Sequence, residues 1–357
     1  MKTHSNLFEK ICSLENLKAA FNKAKKGKST KWYVKEFESN LEKELSKLKT
    51  ELETQIYRPK QLKRFIIRDP KTRVIHASAF RDRVVHHAIC NIVEPIYEKV
   101  FIYDTFANRK DKGTHLGLKR FDEFKRKASR NGELLKNAKD GNMVVSYAMK
   151  ADIKHYFDTV DLEILMKIIG KKIKEDKALQ LIKTILDNHD FKVKGKGMPL
   201  GNLTSQFFAN VYLSDLDYYI KHNLKAKYYM RYVDDFIILH RSKEKLQLYK
   251  WLINNFLKQK LKLELHPEKS KIVPLHNGVN LLGFREFYHY KLPRKSNLRR
   301  FERRLSSLYT LTLRERESIE KMNKMLGGWF GYVMHGNTYK LRKKILNKIE
   351  EAKLVPK

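Results

Sequence analysis

The sequence predicts an α+β protein built on an antiparallel sheet, with helices packed on one face. Three observations carry this. MVVSYAMKADI, residues 143–153, reads as a buried strand that ends in an acid. KYYMRYVDDFIILH, residues 227–240, reads as two short strands either side of Asp234-Asp235. Between them, residues 162–186 and the stretch LTSQFFANVYLSDLDYYI that starts at Leu203 have helical pattern, separated by the turn-rich GKGMPLGN. Strands and helices alternating in this order suggest one sheet with its helices layered against it.

The remaining elements follow from local pattern. Residues 5–55 are helical: Leu7, Ile11, Leu14, Leu17 and Phe21 recur at three- and four-residue steps, and Leu41, Leu45, Leu48 and Leu52 repeat the spacing. The basic stretch KAKKGKSTK, residues 23–31, reads as a loop between them. QLKRFIIRDPKTRVIHASAF gives two β-rich segments around a Pro-containing turn at Asp69-Pro70. A helix-like run from Arg81 to Val100 precedes the loop TFANRKDKGTH, and residues 126–142 are polar and contain glycine, as surface loops do. The last 60 residues are basic and helical in pattern. No internal repeat or low-complexity block is visible.

Charge narrows the partners. Lys and Arg number 76 against 40 Asp and Glu, a net charge of +36. A compact molecule with that surplus repels itself unless a polyanion neutralises it. Nucleic acid is the natural choice, because each phosphate contact releases condensed counterions. The 42% apolar content excludes a disordered chain. Two cysteines, Cys12 and Cys90, exclude a disulfide framework and a four-cysteine zinc site. No apolar core follows the first basic residues and no apolar run reaches spanning length, so a soluble, cytoplasmic protein without membrane attachment is expected.

The acids carry the chemistry. Two adjacent carboxylates at a hairpin tip repel each other unless cations sit there. Asp152 adds a third acid at the end of its own apolar strand. Acids at sheet ends can clamp a pair of divalent ions, and oxygen ligands suit Mg²⁺. A polar Asp-Asp turn is the plain structural alternative.

Several strings in order resemble reverse transcriptases. RYVDDF looks like their catalytic hairpin and ADIKHYFDTVD like their first catalytic strand. GMPLGNLTSQFFAN is similar to the segment that usually carries Pro-Gln-Gly and then Ser-Pro. HPEKSKI and NLLGF resemble the Lys-bearing segment and the primer-grip hairpin, while KTRVI, AFRDRVVHHAICNIVEPIYE and TFANRKDKGTH resemble the fingers of group II intron and retroelement enzymes. The resemblance runs from about residue 55 to 335. It implies a right-hand polymerase: N-terminal helices and fingers over 1–143, palm over 144–289 with a second fingers segment near 162–198, and a helical thumb over 290–357.

The same resemblance assigns roles. Asp152, Asp234 and Asp235 would hold two Mg²⁺ ions, or Mn²⁺ in their place, with the Ile153 carbonyl as a further ligand. Arg73 matches the fingers Arg that contacts the incoming triphosphate; Lys60 and Lys63 stay unassigned. Phe157 matches the aromatic that excludes a 2′-OH, with core packing beside Tyr156 as the alternative. Lys269 matches the Lys that protonates pyrophosphate, and Lys271 is its rival. Leu200, Gly201 and Gln206 lie in the segment facing the nascent base pair, and Leu282, Gly283 and Phe284 match the primer grip. Trp329 in GGWFGY fits a packing role in the thumb.

The subfamily is legible in LGNLTSQ. Leu200 stands where most reverse transcriptases carry Gln, and Gln206 stands where they carry Pro. This combination resembles the enzymes of diversity-generating retroelements, which copy a template RNA into cDNA with errors at adenines and act with a small basic accessory protein. Template RNA, cDNA primer and dNTPs are the implied partners. A phage-defence reverse transcriptase acting with a non-coding RNA, and a non-catalytic RNA-binding maturase, are the alternatives.

Overall fold

A computed structural model of the chain describes residues 3–69, 71–189, 193–312 and 317–351. Pro70 of the expected turn and residues 352–357 of the expected thumb lie outside them. The elements form an α+β architecture in which a central antiparallel sheet packs on helices, as the pattern predicts.

Among the described residues nine strands make three sheets. β1 (Lys63–Ile67) and β2 (Arg73–Ala77) form a hairpin with Phe65 opposite Ile75. The central sheet takes β3 (Tyr147–Asp152), β4 (Tyr228–Tyr232), β5 (Asp235–His240) and β6 (Lys271–Pro274) in the order β4-β5-β3-β6, antiparallel throughout. β7 (Val279–Leu281), β8 (Phe284–Glu286) and β9 (Lys291–Pro293) form a three-stranded meander.

The central strands read as continuous apolar runs because both faces are buried. Alternate residues serve different cores, as the two-residue period requires. Met149 and Ala151 of β3 and Phe236 and Ile238 of β5 join the larger core, formed with the N-terminal helices and helices Leu203–Tyr212 and Lys243–Leu261. Ala148, Ile237 and Leu239 point the other way, onto Leu118, Phe121 and Phe124 of helix Thr114–Ala128 and onto the meander. The expectation of helices on one face is therefore corrected: a helix covers each. The larger core removes most of the apolar side chains of the first 100 residues from water, the main favourable term in folding.

The helical span expected over 162–186 is two helices, Leu162–Gly170 and Asp176–Asp187. After the meander come helices Lys295–Thr312, Glu317–Val333 and Tyr339–Glu351, with Phe301 stacked on Trp329 at 3.9 Å in their shared core. Trp329 thus packs these helices together, in keeping with the sequence reading. Asp69, at the tip of the β1–β2 hairpin, pairs with Arg300 (3.4 Å) and Arg304. The hairpin tip and helix Lys295–Thr312 are therefore joined by ion pairs. Among the described residues no helix is long and apolar enough to cross a membrane.

Candidate active site

The site starts from strand register. Asp152, the last residue of β3, is the direct cross-strand partner of Asp235, the first residue of β5. Directly opposed residues share a face, so both carboxylates rise from the sheet together. Asp234 sits beside them in the two-residue turn Val233-Asp234 that joins β4 to β5. Val233 adopts φ +57°, the left-handed region, where a β-branched residue is strained by roughly 1–3 kcal/mol.

That strained turn is held from beneath. Arg231, fully buried, donates from Nη1 to the Val233 carbonyl (2.9 Å) and to Asn210 Oδ1 (3.1 Å). Its Nε and Nη2 reach Asp217 Oδ1 (2.7 Å) and Oδ2 (2.6 Å), and the Tyr229 hydroxyl donates to the same carboxylate at 2.6 Å. Burial pushes the Tyr229 hydroxyl pKa up, with the Asp217 charge adding to it. Arg231 keeps its charge because Asp217 faces it bidentately. Asp152 is fixed in turn: its backbone carbonyl accepts from the His266 amide at 2.7 Å, and its N–H donates to Ser270 Oγ at 3.3 Å.

Electrostatics make the cluster a candidate cation site. Burial pushes the Asp234 carboxyl up to about 6, and the charges of Asp235 and Asp152 push the same way. Burial also raises Asp235, opposed by Lys150 and further raised by Asp152. Lys150 Nζ stands 3.5 Å from Asp235 Oδ1, a long ion pair, and that oxygen is shut off from solvent without a hydrogen bond. Lys269 Nζ lies 3.4 Å from Asp152 Oδ1.

Among the described residues no three acidic, imidazole or thiolate side chains close into a cage of their own. Mg²⁺ is commonly bound through one or two carboxylates, with substrate phosphates and water as its other ligands. The residues present fit such an ion: oxygen donors only, an orphaned buried carboxylate oxygen, and carboxyls raised by burial and, to a lesser degree, by one another's charge.

Other expected residues follow Asp152 in the chain or lie on the loop before helix Leu203–Tyr212. Ile153 is buried and forms a single bridge with Leu265. The chain turns at His155 (φ +47°) into helix Tyr156–Thr159, which buries Tyr156 and leaves Phe157 half-buried. The Met198 amide donates to the Phe157 carbonyl at 2.7 Å, so the backbone at Phe157 is tied to the segment that carries Leu200. The Leu200 carbonyl accepts from the His76 amide of β2 at 2.8 Å. Gly201 has φ +114°, and a Cβ there would stand 2.7 Å from Ile75 Cγ2. Glycine is required for that close approach. Asn202 completes the tie, accepting from the Ser78 hydroxyl at 2.6 Å.

Lys269, rather than its rival Lys271, stands beside a site carboxylate; Lys271 is exposed and pairs in register with Lys150. Leu282 and Gly283 form the β7–β8 turn with φ +45° and +94°, the signs that tight hairpins require. The Gly283 carbonyl accepts from the Tyr332 hydroxyl and from the Arg294 amide (3.0 Å), while Arg294 lowers the pKa of Asp235 by its charge. Phe284 is fully buried against Tyr332, so its part is to pack beneath the turn. Arg73 is exposed at the end of β2, and Gln206 is exposed in the first turn of helix Leu203–Tyr212. No contact joins either to the carboxylates.

Sequence reasoning missed Arg231, Asp217, Lys150 and Tyr332. A basic residue just before the Asp pair was visible, but 76 basic residues hide which one is buried.

Residues 59–285 match the family described as Reverse transcriptase (RNA-dependent DNA polymerase). The chain is 25% identical over 281 residues to Protein YkfC of Escherichia coli (strain K12), covering 68% of this chain and 71% of that protein. It is 26% identical over 330 residues to Group II intron-encoded protein LtrA of Lactococcus lactis subsp. cremoris, covering 72% of this chain and 52% of that one. The chain therefore spans about half the length of the second relative. A solved structure of telomerase from Candida albicans with a fragment of telomeric RNA is similar over 84% of this chain and 60% of that chain, at 12% identity and a TM-score of 0.48.

Proposed function

The chain belongs to the reverse transcriptase family of RNA-directed DNA polymerases, and from that premise we propose that it copies template RNA into cDNA at the cluster of Asp152, Asp234 and Asp235. Its fold is the right-hand polymerase fold with an antiparallel sheet at its centre. The observation that carries the site is the cross-strand pairing of Asp152 with Asp235, next to the elevated carboxyl of Asp234.

In this reading the three carboxylates, with the Ile153 carbonyl, hold two Mg²⁺ ions. When bound, Mg²⁺ supplies charge neutralisation and Lewis-acid polarisation at the attacking and leaving oxygens. The chain's own residues do the rest. Lys269, exposed beside Asp152, hands a proton to the departing pyrophosphate oxygen, and Arg73 binds the triphosphate. The Phe157 ring lies under the sugar of the dNTP and leaves no space for a 2′-OH. The Leu282-Gly283 turn, pinned by Tyr332 and Arg294, positions the primer end. Fingers over 1–143, palm over 144–289 and thumb over 290–357 are the divisions this assignment uses.

The finer reading is an error-prone enzyme of a diversity-generating retroelement, acting in the cytoplasm with a small basic accessory protein. Leu200 and Gln206 support it, since they replace the usual polar and cyclic residues of that segment. A maturase role is the second reading, favoured by the relative named as intron-encoded. Primer extension on a defined RNA template with dNTPs and Mg²⁺, with and without chelator, tests the polymerase. Sequencing of the cDNA tests for an excess of errors opposite template adenines. RNA binding without extension would leave the maturase.

A further inference from the structure

Behind the catalytic strand lies a groove that the polymerase reading does not use. Helix Lys243–Leu261 and the segment Glu264–Ile272 enclose about 670 Å³, and a second hollow of about 490 Å³ continues it along Lys154, Lys258 and Glu264. Helix Lys243–Leu261 packs its other side on the core through Leu246, Tyr249, Ile253 and Leu257.

The groove has two features, an exposed indole and a surplus of cations. The first is Trp251, 61% exposed although it lines a concavity. An indole is the largest apolar group available, and leaving it in water forgoes its burial. The second is charge. Glu264 is the one acid among the described lining residues, and Lys154 already neutralises it at 2.6 Å. Lys243 and Lys258 face the same space and form no ion pair within 4.0 Å among the described residues.

An aromatic face framed by unpaired cations is the chemistry that binds single-stranded nucleic acid: bases stack on the ring while lysines track the phosphates. Regular duplexes do not offer an unstacked base to such a ring. A protein partner with an apolar side chain would match the indole but not the cations. Hollows of about 670 Å³ and 490 Å³ each fall in the range of small-ligand sites and have room for an unpaired nucleotide.

The geometry points to a second nucleic-acid site on this groove, which takes a single-stranded RNA segment by stacking on Trp251 and pairing its phosphates with Lys243 and Lys258. None of the three aspartates lines the groove, yet the groove is joined to Asp152 through backbone contacts. Lys250, in the groove wall, donates to the Ser270 carbonyl at 2.6 Å, and Ser270 Oγ lies 3.3 Å from both the amide and the carbonyl of Asp152.

The test fills the polymerase site first. The full-length protein is saturated with an unlabelled RNA–DNA primer-template hybrid, and binding of a fluorescent single-stranded oligouridine is then measured by anisotropy. Binding by the loaded protein is expected, weakened about tenfold or more in Trp251→Ala, the scale of one lost base stack. Trp251→Phe should keep most of the affinity. Lys243→Glu with Lys258→Glu should weaken binding and flatten its dependence on salt. Circular dichroism and hybrid binding, unchanged in every variant, exclude unfolding. An absence of oligouridine binding to the hybrid-loaded protein overturns the proposal, as does equal binding by Trp251→Ala; either result would leave the groove to a protein partner. Failure of the hybrid to bind at all would count instead against the polymerase reading, and oligouridine binding to the groove would still be measurable.

Discussion

Arg231 clamps Asp217 through two hydrogen bonds in the fully buried layer directly beneath the Val233-Asp234 turn. The pair does more than neutralise itself: the third arm of the guanidinium holds the Val233 carbonyl, and so fixes a strained backbone that presents Asp234. Leaving either charge buried alone costs about 3–5 kcal/mol. Asp217→Ala is expected to lower unfolding stability by that amount in a denaturant titration. Arg231→Met combined with Asp217→Leu should regain much of the stability, because an apolar pair can replace a buried ion pair. It should not regain polymerisation, because the Val233 tether is gone. Full activity in the double variant would show that the tether is dispensable.

The fate of these two residues shows where sequence reading stops. Asp152, Asp234 and Asp235 were legible because acids interrupt apolar strands, a pattern that costs stability unless cations compensate it. The β1–β2 hairpin was legible from its alternating β-rich segments and turn. Asp217 was not, since it lies in the helical string LTSQFFANVYLSDLDYYI with nothing to show that it turns inward toward a residue 14 positions later. Helix Thr114–Ala128 was also missed: its Leu118, Phe121 and Phe124 are spaced for one face, but basic residues from the preceding loop run through it and mask the stripe. The Leu282 side chain packs near Gly117, a contact between residues far apart in the chain that local pattern does not show.

The raised carboxyl of Asp234 makes cation binding depend on pH. Its folded pKa, about 6, exceeds the ordinary 3.8, so the folded protein holds that proton more tightly than the unfolded chain. The stability this contributes is present in full below about 3.8 and is lost as pH rises through about 6. A divalent ion needs the deprotonated form and acts in the opposite sense. Addition of Mg²⁺ is therefore expected to raise Tm more at pH 8 than at pH 5, and Asp234→Asn should abolish most of that difference. An equal rise at both values would remove Asp234 from the ion site.

Phe157 separates a gate from a core residue. Its backbone is clamped to Met198 while its ring is only half-buried, so trimming the ring should leave the fold intact. Phe157→Val is expected to raise ribonucleotide incorporation relative to dNTP by about tenfold or more, the scale on which a pocket discriminates by one small group. Single-turnover competition between dNTP and rNTP measures it. An unchanged ratio in an active variant would assign the ring to packing.

Leu200 tests the subfamily. Its carbonyl is committed to His76, so a change of side chain leaves the loop's anchor in place. A Gln amide can bond the nascent base pair where a branched alkane cannot, and one such bond is worth about 0.5–1.5 kcal/mol, a factor of about two to ten. Leu200→Gln is expected to lower misincorporation by that factor, most at template adenines. Sequencing of cDNA made by both forms from one RNA decides it, and identical error spectra at equal extension rates would weaken the retroelement assignment.

The central claim is that the carboxylates gathered by the Asp152–Asp235 register are the polymerase centre. Its most direct test is Mg²⁺-dependent primer extension on an RNA template by Asp234→Asn, with Asp152→Asn and Asp235→Asn in parallel and hybrid binding measured on the same preparations. The substitution keeps the shape and removes the charge needed to hold paired cations. Extension is expected to fall about a hundredfold or more, the scale of losing one main electrostatic contact to the transition state, while hybrid binding stays near that of the unaltered protein. Robust extension by Asp234→Asn would contradict the account.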